Sequence, residues 1–151
     1  MTDLLSKKTG KKIDTEVTEL VCVYDPEDKE QEKMSYIISV GWERKIHIWA
    51  DEKEEEVMAT KILPQNDQMG HKDDIMSAVY CLKYNLIFTG AHDGTLIAWN
   101  FETGYMKSQL HLYDSTCLAS VPGNHVKESK SVDQLCVLDK FDKLVSMTAD
   151  Q

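Results

Sequence analysis

Short runs of β-branched and aromatic residues alternate with polar turns along most of the chain, and this pattern predicts β-strands. In the segment FTGAHDGTLIAWN, residues 88–100, two such runs flank an Asp-Gly pair, which is typical of a tight turn between antiparallel strands. The pattern predicts ten strands in three groups: 17–24, 35–41, 45–50 and 57–63; then 75–81, 85–90, 95–100 and 105–111; then 132–138 and 143–148.

The three groups are copies of one pattern. Val17, Ile75 and Val132 open the copies and lie 58 and 57 residues apart. Placing Asp93 over Asp150 aligns the second and third copies, and placing Trp99 over Trp49 aligns the second with the first. The aligned positions then include Ala78 with Leu135, Val79 with Cys136, Phe88 with Val145, Thr89 with both Ser39 and Ser146, and Leu96 with Ile46. Repetition of a four-stranded antiparallel unit predicts the blades of a propeller.

The second copy resembles one WD repeat in its Gly70-His71, Thr89-Gly90, Asp93-Gly94 and Trp99-Asn100 pairs, with Asn100 in place of the Asp of the Trp-Asp pair. The other copies fit in part: Ser39 and Trp49 match in the first, where Glu43 replaces the turn Asp and Arg44 the Gly, and Ser146 and Asp150 match in the third. The resemblance covers about residues 17 to 151. It implies an all-β fold, a partial WD-repeat β-propeller with two four-stranded blades and half of a third within a larger ring.

These patterns divide the chain into five parts. They are a Lys-rich N-terminal arm at 1–16, blade 1 at 17–63 with an acidic insertion at 25–34, blade 2 at 64–111, a long loop at 112–131, and the incomplete blade 3 at 132–151.

In WD repeats, the His, Ser or Thr, Asp and Trp of one repeat form a hydrogen-bonded chain. Carried over to blade 2, the resemblance implies that Asp93 accepts from His71, that His71 contacts Thr89, and that the Thr89 hydroxyl accepts from the indole N–H of Trp99. We expect this tetrad to be structural. The same is expected of the two partial sets, which are Ser39, Glu43 and Trp49 in blade 1, and Ser146 and Asp150 in blade 3. Because no activated nucleophile or oxyanion site accompanies it, the sequence predicts no enzyme.

The amino-acid composition limits the classes of molecule that the chain is expected to bind. The net charge of −9, from 26 acidic and 17 basic residues, argues against binding nucleic acid, which needs a basic surface. The acidic runs at 25–33 and 50–56 are expected to be solvated loops, with attraction of a basic partner as the alternative. No apolar run approaches the roughly 20 residues of a membrane span, and the N-terminus lacks the apolar region of a secretory signal.

Cysteine and histidine spacing predicts no metal site and no cofactor. Cys22, Cys81, Cys117 and Cys136 form no CxxC pair, and three of them lie in apolar runs, where small buried thiols in a reducing compartment are expected. The five histidines are scattered without metal-ligand spacing. We therefore expect a cytoplasmic protein.

The third copy stops before its third and fourth strands, so we expect further blades to complete the ring. Three explanations are open: a longer polypeptide that continues beyond Gln151, strands supplied by another chain, or an open arc held inside a large assembly.

The propeller resemblance places the turns between the second and third strands of each blade on one face, with Trp42, Arg44 and His92 as candidate partner contacts. An exposed indole beside Arg has the composition of a binding hot spot. The apolar 117–121 segment of the long loop is a further docking candidate, and the arm at 6–12, with four lysines, is a solvated tail or an anchor on an acidic surface such as a microtubule.

We therefore predict a non-catalytic scaffold that binds other proteins, including a chain that completes the propeller. The stretch SVGWERKIHIWAD with its charged insertions resembles WD-repeat proteins of cilia and flagella, which implies the axoneme and microtubule-associated partners. Two alternatives stay open: a substrate-recruiting subunit of a ubiquitin ligase, and the N-terminal propeller of an enzyme whose catalytic domain lies beyond residue 151.

Overall fold

The structure is a computed structural model, and it describes residues 16–24, 34–50, 55–56, 70–112 and 130–148. These residues form ten strands: β1 (Val17–Tyr24), β2 (Met34–Gly41), β3 (Ile46–Ala50), β4 (Glu55–Glu56), β5 (Ile75–Cys81), β6 (Leu86–Ala91), β7 (Thr95–Asn100), β8 (Met106–His111), β9 (Gln134–Leu138) and β10 (Lys143–Met147). A short 3-10 helix, Asp139–Phe141, connects β9 to β10. The described chain is all-β, as the sequence predicts.

The strands form three antiparallel sheets, one for each predicted blade. Blade 1 has the order β1-β2-β3-β4, blade 2 the order β5-β6-β7-β8, and blade 3 pairs β9 with β10. Every strand pairs with its neighbour in sequence, so each sheet is a meander of hairpins.

The turns between the second and third strands explain one difference between the copies. In blade 2 this turn contains Gly94 at a φ of 80°, and a Cβ there would lie 2.7 Å from the carbonyl oxygens of Leu112 and Lys130. In blade 1 the equivalent Arg44 has a φ of 60°. A non-glycine residue in this left-handed conformation costs on the order of 1 kcal/mol, so blade 1 keeps the turn at a local cost.

Alternate residues of each strand point to opposite faces of the sheet. We call the face turned to the preceding blade the front face and the face turned to the following blade the back face. Blades 1 and 2 share one apolar core, in which the back face of blade 1 packs against the front face of blade 2. Its buried members are Val23, Ile38, Val40, Ile46 and Ile48 from blade 1 and Ile75, Ala78, Ile87, Ile97 and Trp99 from blade 2.

Blade 3 packs against the back face of blade 2 through an unusually close approach. A Cβ on Gly90 would lie 2.3 Å from Cγ1 of Val132, which is fully buried. Nearer the other end of the strands, Lys83 forms an ion pair with Asp142. Only glycine at position 90 allows the two blades to meet this closely.

Several expected boundaries shift. The strand β4 lies at Glu55–Glu56, inside the acidic run expected to be a solvated loop, because these two residues pair with Ala50 and Trp49 of β3. The expected strand at 57–63 lies outside the described residues. Strands β2, β3, β6, β8, β9 and β10 differ from expectation by one or two residues at an end, as where Asn85 adopts a left-handed turn conformation instead of starting β6.

The cysteine prediction is wrong for two of the three strand cysteines. Cys81 is buried, whereas Cys22 and Cys136 are exposed. Cys22 lies on the front face of blade 1 and Cys136 on the back face of blade 3, and the described residues place no blade against either face. Their exposure therefore follows from their position at the two ends of the array.

The arm at 1–15, the acidic insertion at 25–33 and the loop at 113–129, with its 117–121 docking candidate, lie outside the described residues. In the part of the chain that is described, no helix has the length and apolar character that a membrane span requires.

Candidate functional site

A hydrogen-bonded network joins three elements of blade 2. His71 lies in the loop before β5, Thr89 in β6 and Trp99 in β7. The indole Nε1 of Trp99 donates to Oγ1 of Thr89 at 2.8 Å, and Nε2 of His71 lies 2.6 Å from the same oxygen. Thr89 is completely inaccessible to solvent. One buried hydroxyl therefore holds a loop and two strands together.

The chemistry of the groups fixes the direction of these bonds. An indole N–H can only donate, so Thr89 is the acceptor toward Trp99. The hydroxyl proton of Thr89 is then used by donating to Nε2 of His71, which puts the imidazole proton on Nδ1. This assignment requires a neutral imidazole.

The expected hydrogen bond between His71 and Asp93 is not formed, which corrects the predicted tetrad. Oδ1 of Asp93 instead accepts from the backbone N–H of Thr95 at 2.9 Å, because a turn Asp can bond to the backbone two residues ahead. Nδ1 of His71 is buried and has no hydrogen-bond partner within the described residues.

This environment keeps His71 uncharged at neutral pH. Burial lowers the pKa of His71 to about 4, and the nearby charge of Asp93 opposes the shift without cancelling it. The imidazole is thus an uncharged structural acceptor for Thr89.

Blade 1 builds its network from different residues. Nε1 of Trp49 donates to Oγ of Ser39 at 3.1 Å, as the sequence leads one to expect. Glu43, in place of the turn Asp, lies 3.3 Å from Nε2 of His47, whose ring stacks on Trp49 with centroids 6.1 Å apart. His47 is not among the predicted site residues. Strand alternation could have found it, because His47 pairs across the sheet with Ser39 and follows Glu43 by four residues.

The partial set of blade 3 is not assembled in the described residues. Ser146 is exposed and pairs across the sheet with Leu135, and Asp150 lies outside the described part of the chain.

The candidate partner contacts lie on one rim of the blades, which we call the turn rim and define by Trp42, Arg44, His92 and the loop at 70–74. The side chain of Trp42 is 50% exposed, while its backbone N–H donates to the carbonyl of Glu16 at 3.1 Å. Nη1 of Arg44 donates to the carbonyl of Lys72 at 3.1 Å, which bridges from blade 1 to blade 2.

His92 also lies on the turn rim, but its ring already has a neighbour. Nδ1 of His92 lies 3.3 Å from Oδ2 of Asp73, a contact that the sequence analysis did not predict. The loop at 70–74 is therefore held by Arg44 from one blade and by His92 from the other.

The comparisons with known proteins bear on the fold. No family model matches the sequence, and no curated protein matches it. Among solved structures, the crystal structure of RRP9 WD40 repeats matches with a TM-score of 0.53 at 16% identity, over 67% of this chain and 27% of that one. The fold is that of WD40 propeller blades.

Two computationally designed proteins are also similar. Ika8 matches with a TM-score of 0.55 at 20% identity, over 89% of this chain and 30% of the Ika8 chain. Ika4 matches with a TM-score of 0.51 at 18% identity, over 89% of this chain and 67% of the Ika4 chain. The chain thus spans less than a third of the length of Ika8 and of the RRP9 structure.

A cavity of about 130 Å³ between blades 2 and 3 is lined by side chains that include Cys81, Phe88 and Val137. Within the described ranges no group of three or more His, Cys, Asp or Glu side chains could hold a metal ion. The blades present a turn rim on which the indole of Trp42 is half exposed.

Proposed function

We propose that this chain is a non-catalytic WD-repeat scaffold that binds other proteins through the turn rim, with Trp42 as the anchor. The observation that carries the proposal is the half-exposed indole of Trp42 in a turn that is tied to Glu16 through its backbone and to Lys72 through the side chain of Arg44.

The turn around Trp42 is already ordered before any partner arrives. The backbone bond from Trp42 to Glu16 ties it to the start of β1, and the Arg44 bond to Lys72 ties it to blade 2. Binding would immobilise few additional groups, and a preformed anchor loses less entropy on association. Trp and Arg are also the residues most enriched in binding hot spots.

The proposed absence of catalysis is supported by the position of the residues that could do chemistry. Thr89 is buried, its hydroxyl lies between Trp99 and His71, and the free nitrogen of His71 is itself buried. A substrate would have no access to these groups without opening the blade.

The test compares two exposed aromatic residues on opposite rims. We would immobilise the full chain, capture partners from a cytoplasmic extract, and measure their affinity for the Trp42→Ala and Tyr105→Ala variants. Tyr105 is 57% exposed in the β7–β8 connection, at the other end of the strands. We expect Trp42→Ala to weaken binding by about 30-fold, the effect of losing a hot spot worth about 2 kcal/mol, and Tyr105→Ala to bind normally. Equal effects of the two variants would contradict the proposal.

A more specific assembly and cellular location are proposed from the sequence. The ciliary resemblance of the segment at 39–51 supports an axonemal assembly with microtubule-associated partners, and the free thiols of Cys22, Cys81 and Cys136 support a reducing, cytoplasmic location. Quantifying the chain in isolated cilia against the cell body tests this placement, and absence from the axonemal fraction would remove it.

A further inference from the structure

Three exposed cations lie on the turn rim, and we call them the basic cluster: Arg44, Lys45 and Lys72. Arg44 and Lys45 follow Trp42 in the turn between β2 and β3, and Lys72 lies in the loop at 70–74. Nη1 of Arg44 donates to the carbonyl of Lys72 at 3.1 Å, which brings the cations of the two blades together. The basic cluster and the half-exposed indole of Trp42 therefore belong to one surface.

The charges of the basic cluster are not used inside the blades. None of the three cations forms an ion pair with any residue that the structure describes. The acidic side chains around them make other contacts: Glu43 lies against His47, and Asp73 lies against His92. Asp93 accepts from a backbone N–H of its own turn. The three cations are thus available to a group outside the chain.

The backbone at Arg44 is a second indication that its side chain has a use. Arg44 has a φ of 60°, in the left-handed region, at the position where blade 2 has Gly94. Glycine would hold this turn without the steric cost that a side chain adds there. Strained backbone of this kind is concentrated at binding and switch sites. A contact of the guanidinium with a partner would offset the cost of placing arginine in this turn.

The Lys-rich arm is joined to the blades at the same place. The carbonyl of Glu16 accepts from the backbone N–H of Trp42 at 3.1 Å. Lys11 and Lys12 precede Glu16 by five and four residues. Because each residue adds at most about 3.6 Å, both lie within about 18 Å of Glu16 whatever path the arm takes. The sequence therefore adds positive charge on the side of the turn rim that carries Trp42.

The rest of the chain limits the size of an anionic partner. The net charge is −9, and the acidic run at 25–33 joins Tyr24 to Met34 at the other end of the strands. A long polyanion such as nucleic acid needs an extended basic surface, so the acidic chain would repel it beyond the basic cluster. A short acidic segment contacts only the cluster. The adjacent indole of Trp42 favours a segment that also carries an apolar side chain.

We propose that the turn rim binds an acidic peptide segment of another protein, with carboxylates on the basic cluster and an apolar side chain on the indole of Trp42. This inference rests on the proposed scaffold function, because it assigns a partner chemistry to the same surface. Arg44 can hold a carboxylate through the guanidinium N–H groups that do not contact Lys72. Exposed charge pairs are screened by salt, so the affinity falls as the salt concentration rises.

The first measurement compares three fluorescent peptides of one design. A central leucine and phenylalanine are flanked on both sides by glutamates in the first peptide, by glutamines in the second and by lysines in the third. Binding to the full 151-residue chain is followed by fluorescence anisotropy at low and at high salt. At low salt we expect the glutamate peptide to bind about tenfold more tightly than the glutamine peptide, and the lysine peptide to bind most weakly. Equal binding of the glutamate and glutamine peptides, or no binding of the glutamate peptide, would overturn the inference.

The second measurement separates the basic cluster from the total charge. The double variant Arg44→Gln with Lys72→Gln is compared with Lys140→Gln and Lys143→Gln, which removes two exposed lysines at the other end of the strands. We expect a loss of about tenfold in affinity for the glutamate peptide in the first variant and less than about twofold in the second. Arg44→Gly should also weaken binding without lowering stability in urea, which excludes unfolding as the cause. Equal losses in the two double variants would overturn the inference.

The outcomes for this inference and for the scaffold proposal can be distinguished. If Trp42→Ala weakens the capture of partners from the extract but the glutamate peptide is not preferred, the scaffold function stands and the acidic partner is wrong. If Trp42→Ala leaves that capture unchanged, the scaffold function itself is wrong. Single-stranded DNA and phosphatidylserine vesicles are tested in the same assay, and tighter binding of either than of the glutamate peptide would overturn the choice of an acidic protein segment.

Discussion

The substitution Thr89→Val measures what the buried network of blade 2 contributes to stability. Valine has nearly the shape of threonine but no hydroxyl, so the core packing around β6 is retained while both hydrogen bonds are lost. The indole N–H of Trp99 and Nε2 of His71 would then be left without their partner.

The size of the effect follows from burial. Thr89 is inaccessible and Trp99 is buried, so water cannot replace the lost hydroxyl. Leaving a buried polar group unsatisfied costs about 1–3 kcal/mol, and two such groups give a loss of about 2–6 kcal/mol in the free energy of unfolding. Since small domains are stable by roughly 5–15 kcal/mol, this is a large fraction of the total.

The assay is urea unfolding at neutral pH, followed by tryptophan fluorescence and by circular dichroism. Ser39→Ala is the matched control from blade 1, because it removes one bond to a partly exposed Trp49 and should cost about 1 kcal/mol or less. Thr89→Ser keeps the hydroxyl and should recover most of the loss. The reasoning would be refuted if Thr89→Val cost no more than Ser39→Ala, or if Thr89→Ser were as unstable as Thr89→Val.

Two further predictions concern the same blade and its junction with blade 3. The pKa of His71 is about 4 in the folded chain and ordinary in the unfolded chain, so the unfolded state binds the proton first as pH falls. The free energy of unfolding should therefore drop by about 2 kcal/mol from about pH 7 to about pH 5. In urea titrations, His71→Gln should remove this part of the pH dependence. Gly90→Ala would place a Cβ 2.3 Å from Val132, so we expect a loss of about 1–3 kcal/mol and faster hydrogen exchange in β9; wild-type exchange in this variant would contradict the close packing.

The sequence predicted the architecture because each strand pairs with its neighbour along the chain. Strand alternation and the Asp93-Gly94 turn are local signals, and the recurrence of the strand pattern in three copies strengthened the prediction. The strand prediction failed where pairing with a neighbouring strand outweighed local propensity. Glu55 and Glu56 form β4 although acidic residues are poor strand formers, because pairing with β3 outweighs their weak propensity.

The candidate site was predictable only where the repeat pattern fixed it. The positions of Thr89 and Trp99 on adjacent strands follow from the pattern, so their contact could be expected. The choice of Asp93 between His71 and the backbone of Thr95 depends on side-chain rotation, on which the sequence carries no information. The bridge from Arg44 to Lys72 depends on how two blades are placed, which no single repeat specifies.

The internal network of blade 1 has a consequence for the order of folding. Its two contacts, Ser39 with Trp49 and Glu43 with His47, span ten and four residues, whereas the His71 contact to Thr89 spans eighteen. Closing a short loop costs less chain entropy than closing a long one. The β2–β3 hairpin therefore contains every residue of its network. Blade 2 has the equivalent Trp99–Thr89 bond across ten residues, but its network is complete only when the separate loop before β5 brings His71 to the sheet. Blade 1 can act as a template on which the next blade assembles.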